Sequence, residues 1–472
     1  MTLGGLLSGP PAVVAAGVDV FSDALRAQGA EVHDVDWRPP GFGDPADLAA
    51  LALDVRRASA NRTAVERVLA AGSQLVDVRP ARDVLDLPDR MLLHAGPPIE
   101  WADASGPLRG AFIGACLYEG WADSEEAAER MLAAGEIRLD PCHHHRTVGP
   151  MAGVVSPSMW MWCLTDPVHG GQAFCSLNEG LGKVLRYGAY GPEVVDRLHW
   201  MSNVLGPVLA AAVRAPIDSG ADPIDVKSIL AQMLQMGDEG HNRNRAGSAL
   251  TLRELAPAIA EVDAPASDIS AVLRFIGGNE HFYLNLGMPT AKLAMDAARD
   301  IPGSSMVTVM ARNGTDFGIQ TAGTGDRWFT GPANTPVGLF LGDYGPDDAN
   351  PDIGDSAITE TYGVGGFSMA AAPAIVRFVG GTVPDALATT ERLYQLTLTE
   401  NPAMAIPIMG FRGAPTGIDV LKVARTGWLP QINTGMAGRV AGTGQVGAGL
   451  VQPPQECFEQ ALAALAEETR SA

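Results

Sequence analysis

Apolar and polar positions follow two different periods along this chain, and they predict a mixed set of elements. Ala12 to Ala16 is a short apolar run, Phe21 to Gln28 a helix ended by Gly29, and Glu31 to Trp37 alternates like a strand. Asn61 to Ala71 suits a helix stopped by Gly72, and Ser73 to Val78 reads as a further strand. This succession of strands and helices predicts a parallel sheet, a small Rossmann-like α/β unit over residues 1–90.

Residues 91–190 read as the first part of an α/β core. Met91 to His94 looks like a buried strand that opens into the loop Ala95 to Pro98. Asp123 and Glu126 have capping-box spacing for a helix ended by Gly135. Asn178, Glu179 and Lys183 sit among glycines at a predicted helix start. Residues 191–265 read as a helical domain, with helices over Pro192 to Ala215 and Asp225 to Met236 and a linker from Val262 to Ser267.

Residues 266–472 supply the second part of the α/β core. Pro289 to Ala298 is a predicted helix. Apolar strands flank Asn313-Gly314, which is a strong hairpin signal for Met306 to Ala322. Ala370 to Phe378 reads as a buried helix and Pro454 to Ala472 as a terminal one. The glycines between Gln431 and Gly449 point to close passage by another backbone. The predicted fold class is therefore α/β and α+β, multidomain.

Composition narrows the function classes. A chain of 472 residues exceeds one hydrophobic core, so two to four domains are expected. With 46% apolar and 18% charged residues the balance is globular. A formal net charge of −21 argues against a general nucleic-acid binder, and an anionic ligand would need a local cationic pocket. The 5 cysteines form no Cys-x-x-Cys pair, and neither an export signal nor a membrane-length apolar run is present. The expectation is a cytoplasmic protein with reduced thiols and no membrane contact. Gly4-Gly5 and Ser8-Gly9 lack the spacing of a dinucleotide loop and read as turns.

Two stretches interrupt this pattern with concentrated polar chemistry. Cys142-His143-His144-His145-Arg146 places 3 of the 9 histidines side by side. In a strand, His143 and His145 would share one face and His144 the other. The competing reading is a polar loop or satisfied core histidines. The second stretch, Gly237 to Arg245, contains Asp238, Glu239, His241, Asn242 and Arg243; if helical, Asp238, His241, Asn242 and Arg245 share a face. Both stretches are expected to meet in one site, with Glu179 as a further catalytic carboxylate and Asn178 beside it. One extended strand offers a metal at most two of three contiguous histidines, so neither metal nor cofactor is expected.

The sequence resembles the YahG/YlbE (AllG-type) family. The match is carried by Leu93 to Pro98, Gly114 to Trp121, Pro141 to His145 and Met236 to Asn244. It continues at Asp36 to Pro40, Ala311 to Gly314, Gly325 to Phe329, Asn350 to Thr361 and Pro415 to Asp419. Gly240 departs from the pattern, where a Cys is expected, so no thiol chemistry is assigned there. The resemblance implies a subunit of an oxamate carbamoyltransferase in purine (allantoin) nitrogen catabolism. It would work with an FdrA-like protein and a third small subunit, moving a carbamoyl group between oxalurate and phosphate. A homo-oligomer is also expected.

These substrates are small anions, so His144, Arg146, Asn178, Asn242, Arg243, Arg312, Asn313 and Arg327 are the candidates to bind them. His143 or His145 would polarise the carbonyl, while Asp238, Glu239 or His241 would take a proton. Two alternatives stay open: a non-catalytic scaffold or regulatory binding subunit, and a metal-dependent amide hydrolase using His143, His145 and His241.

Overall fold

The computed structural model describes residues 12–35, 38–374 and 381–471, a mixed α/β chain whose strands form several small sheets covered by helices. Asp36-Trp37, the Gly4-Gly5 and Ser8-Gly9 turns, and the end of the helix expected over Ala370 to Phe378 lie outside these residues. Ahead of that end, the chain forms a short 3-10 helix, Gly365–Ala371.

At the start of the chain, Ala12–Ala15 and Glu31–Asp34 pair in parallel, connected through the helix Asp19–Ala27. The third expected strand does not extend this pair. Gln74–Pro80 lies antiparallel to Trp160–Thr165, which in turn lies antiparallel to Gln172–Ser176. Burial explains the difference: Leu75 and Val78 enter the main core with Trp162 and Leu164, while the first two strands stay largely exposed. Periodicity marks which face of a strand is apolar, but the surface that covers this face selects the partner.

The hairpin forms as expected, Val307–Asn313 against Asp316–Thr321. Asn313 Oδ1 accepts the Thr315 and Asp316 amides at 3.0 and 2.7 Å, and Gly314 takes the left-handed backbone (φ 87°) of the turn. The glycine-rich stretch is a second hairpin, Ile432–Ala437 with Gln445–Val451, flanked by the edge strand Val337–Phe340. A Cβ on Gly449 would overlap the Val337 carbonyl oxygen, and one on Gly447 would lie 2.5 Å from that of Leu339. The close passage is real.

Several boundaries move. Ser124, not Asp123, caps the helix Glu125–Ala133 by accepting from the Ala127 amide. The chain from Leu177 to Lys183 is irregular, with Gly180 and Gly182 at positive φ, so no helix starts there. The expected linker shrinks to the few residues between the helices Arg245–Glu261 and Ala266–Gly278. The helix expected from Pro289 begins earlier, as Leu284–Asp296, and Pro289 lies inside it.

The hairpin strand carries a fully buried ion pair. Arg312 Nε and Nη2 donate to Asp352 at 2.6 and 2.9 Å, Nη1 donates to the Gly354 carbonyl, and Nη2 also reaches Thr434 Oγ1. Removing one partner leaves an uncompensated charge in the core. Asp352→Ala should lower the unfolding free energy in urea by about 3–5 kcal/mol, and the double variant Arg312→Met/Asp352→Leu should recover much of that loss.

Candidate functional site

The site is built on one short segment. Ile353–Gly354 pairs with the hairpin strand; the chain then turns through Asp355–Ala357 into the helix Ile358–Tyr362, which ends at Gly363. This segment points Asp355 and Glu360, both fully buried, in toward other parts of the chain. Asp355 accepts the Gly96 amide at 2.8 Å and the Gly149 amide at 3.0 Å, and His143 Nε2 lies 3.5 Å from its Oδ1. Glu360 holds His241 Nδ1 at 2.9 Å from both of its oxygens. Its Oε1 also accepts the amides of Gly366 and Asn433. The two histidine-bearing stretches thus reach the same segment, one at each end.

The histidine cluster is a 3-10 turn, Cys142–His145, not a strand. His143 and His145 accordingly do not share a face. His143 is buried against Asp355 and stacks edge-on to Trp328, and neither ring nitrogen has a hydrogen bond among the described residues. Burial pushes its pKa down, partly opposed by Asp355. His144 and His145 instead share Asp140, at 2.9 and 2.7 Å. The Trp328 indole donates to His144 Nε2, so His144 Nδ1 carries the proton given to Asp140. Cys142 is buried, and desolvation lifts its thiol well above the ordinary range, which removes it as a nucleophile.

The second stretch is a tight turn, not a helix, so Asp238, His241, Asn242 and Arg245 do not form a helical face. Asp238 caps the helix Arg245–Glu261 by accepting the Ala246 and Gly247 amides at 2.7 and 3.1 Å. Glu239 folds back under the turn, accepting the amides of His241 and Arg243, and Asn433 Nδ2 donates to its other oxygen at 3.1 Å. Asn433 thereby bridges Glu239 and Glu360. Burial lifts Glu239 to about 7; His241 opposes this and Glu360 adds to it. With Nδ1 of His241 bonded to Glu360, its Nε2 is the nitrogen left to exchange a proton, and 4% of the side chain remains exposed.

Beside this turn opens a cleft of about 650 Å³. Arg243, Arg245, Asn242 and His281 line it, together with Leu339, Leu341 and Tyr187. Arg245 is hydrogen-bonded to Glu280 through Nε alone. Arg243 Nε lies 3.4 Å from Asp238, within ion-pair reach but without hydrogen-bond geometry. Burial, with Arg186 and His241 adding to it, pushes His281 down to about 3, so a neutral imidazole faces the cleft at neutral pH.

The remaining sequence candidates lie in other surroundings. Glu179 accepts the Leu185 and Arg186 amides, and Asn178 is tied to Asn285 and Asn279. Asn313 forms the hairpin turn. Arg312 is occupied by Asp352. Arg146 donates to Gln172 and covers Phe174, while Arg327 lies over Phe329. Sequence reasoning did not assign Asp355, Glu360, Asn433 or His281. The first two fall in the Asn350–Thr361 stretch, whose density of acidic and hydroxyl residues was the available signal.

Residues 137–356 match the family model described as oxamate carbamoyltransferase subunit AllG. Oxamate carbamoyltransferase subunit AllG of Escherichia coli (strain K12) is 48% identical over 413 residues, which is 87% of this chain and 98% of that protein. The chain belongs to the AllG/YahG family. The uncharacterized protein YahG of the same organism is 43% identical over 465 residues, 97% of this chain and 97% of that protein. A crystal structure of a conserved protein of unknown function from Enterococcus faecalis V583 shares the fold with a TM-score of 0.85. Its identity is 45%, covering 88% of this chain and 98% of that one. The AllG-matched segment holds Glu239, His241, Arg243 and Asp355, and Glu360 follows just beyond it.

The Glu239 proton gives a pH signature. The folded chain keeps it up to about 7, while the unfolded chain releases it near 4.5, so this group's contribution is fully present below 4.5 and is lost as pH rises through 7. Wild-type stability minus that of Glu239→Gln should therefore fall by roughly 3 kcal/mol between these values, measured by urea unfolding.

Proposed function

We propose that the chain is a subunit of a cytoplasmic carbamoyltransferase that interconverts oxalurate plus phosphate with oxamate plus carbamoyl phosphate in purine nitrogen catabolism. The observation that carries this reading is the Glu360–His241 pair in the turn whose next residues, Asn242, Arg243 and Arg245, line the cleft, in a chain nearly half identical to an AllG subunit. An FdrA-like protein and a third small subunit complete the assembly.

In this reading, the guanidinium end of Arg243 holds the anionic groups of the substrates. A phosphate oxygen attacks the carbamoyl carbon, and the bond from that carbon to the amide nitrogen breaks. The proton on hydrogen phosphate passes through His241 Nε2 to the departing nitrogen, giving oxamate, so charge and protons balance. Glu360 fixes the tautomer that leaves Nε2 free. His143, buried on Asp355, acts by anchoring the shared segment and does not touch substrate. A hydrolase built on His143, His145 and His241 would need three rings to converge. Here His143 faces Asp355, His145 faces Asp140 and His241 faces Glu360. Among the described residues no three His, Cys, Asp or Glu side chains form a metal-binding group.

Phosphorolysis of oxalurate by the complete assembly, followed through carbamoyl phosphate, tests the reading. His241→Ala should lower turnover roughly 100- to 1000-fold, within the range for a lost acid–base group. Glu360→Gln should lower it about tenfold or more through the wrong tautomer, with KM kept. Arg243→Ala should mainly raise KM. Undiminished turnover by His241→Ala would remove it from the chemistry, and an inactive complete assembly would leave a scaffold role.

A further inference from the structure

The cleft has more room than its proposed substrates need, and its mouth carries an unfinished sheet. A volume of about 650 Å³ suits a drug-sized ligand, several times larger than a ureide or a phosphate. One wall is the strand Val337–Phe340, which pairs on one side with Gln445–Val451 and forms the edge of its sheet among the described residues. Natural proteins block such edges with charge, proline or a covering element. This one does the opposite: Val337 is 78% exposed, Leu339 49% and Leu341 50%, and Leu181, which also lines the cleft, is 44% exposed. The strand itself bears no charged side chain.

Backbone geometry shows which groups are available. The Leu341 amide donates to the Val446 carbonyl, so the antiparallel alternation turns Leu339 and Leu341 toward the neighbouring strand. Gly338 and Phe340 consequently present their N–H and C=O groups outward, and no other backbone partner meets them among the described residues. Beyond the strand stand Arg243 and Arg245, cationic groups in a chain of net charge −21. Neither guanidinium has a hydrogen-bonded partner at its Nη atoms among the described residues.

We infer that Val337–Leu341 is a docking edge for an extended segment of a different subunit. That segment adds a strand beside Gly338 and Phe340, packs apolar side chains on Leu339 and Leu341, and brings a carboxylate toward Arg245 at the rim. It narrows the cleft to the size of the small substrates. A second copy of this chain fits less well, because two strongly acidic molecules repel. The inference rests on the proposed subunit role but not on the identity of the reaction.

Amide hydrogen exchange distinguishes the two. Exchange at Gly338 and Phe340 is measured on this chain alone and in the assembly reconstituted with the FdrA-like protein and the third subunit. Protection of both amides by tenfold or more in the assembly alone is the expected result. Leu339→Asp should weaken assembly at least tenfold while leaving the isolated chain's urea midpoint unchanged. Unchanged exchange in a formed assembly, or protection that rises with the concentration of this chain by itself, would overturn the inference; the latter outcome would identify a second copy. An assembly that protects the edge yet fails to phosphorolyse oxalurate supports the docking edge and rejects the reaction. An active assembly with an unprotected edge does the reverse.

Discussion

Three buried carboxylates between residues 352 and 360 set the constraint on which the rest of the structure depends. Asp352, Asp355 and Glu360 are each at most 2% exposed. A carboxylate removed from water is strongly unfavourable unless charges and donors replace its hydration. Each therefore recruits a distant part of the chain. Asp352 takes Arg312 from the hairpin, Asp355 takes two loop amides and faces His143, and Glu360 takes His241 together with the Asn433 amide. One short turn and helix thereby tie together the hairpin, the histidine turn, the polar turn after residue 237 and the glycine-rich hairpin.

Glycine makes this convergence sterically feasible. A Cβ on Gly96 would overlap the backbone of Arg312 and Asn313, and one on Gly354 would come within 2.7 Å of the Met151 amide nitrogen. Both residues have positive φ, which other side chains adopt only with strain. Loops carrying donors to Asp355 can approach only because these positions have no side chain. The same economy at Gly447 and Gly449 lets the edge strand lie close beside its neighbour, leaving the strand's other side at the mouth of the cleft.

Fixed partners also divide the histidines by role. His143 is locked in a dry environment and its burial disfavours charge, so it suits support of the segment. His144 and His145 share one surface carboxylate. His241 alone combines a buried orienting carboxylate with a place in the turn whose next residue, Asn242, lines the cleft. Equal prominence in the sequence therefore does not translate into equal chemistry; access and the second hydrogen bond separate them.

The sequence by itself determined the features that depend on neighbours along the chain. Asn313-Gly314 specified a hairpin because its backbone preference matches the turn. The glycines after Gln431 announced close backbone passage, and the family likeness followed from long local motifs. It also marked both polar turns as unusual, but it left their local shape open, since a strand or helix period cannot reveal a turn held by Asp355, Asp140 or Glu239. Only the tertiary structure decided that Gln74–Pro80 joins an antiparallel sheet. Only it decided that Arg312 is held by Asp352, and that Glu360, 119 positions away, holds His241. The physical reason is that periodicity fixes which face a residue occupies, whereas the partner of a buried charge is set by what desolvation brings within hydrogen-bond reach.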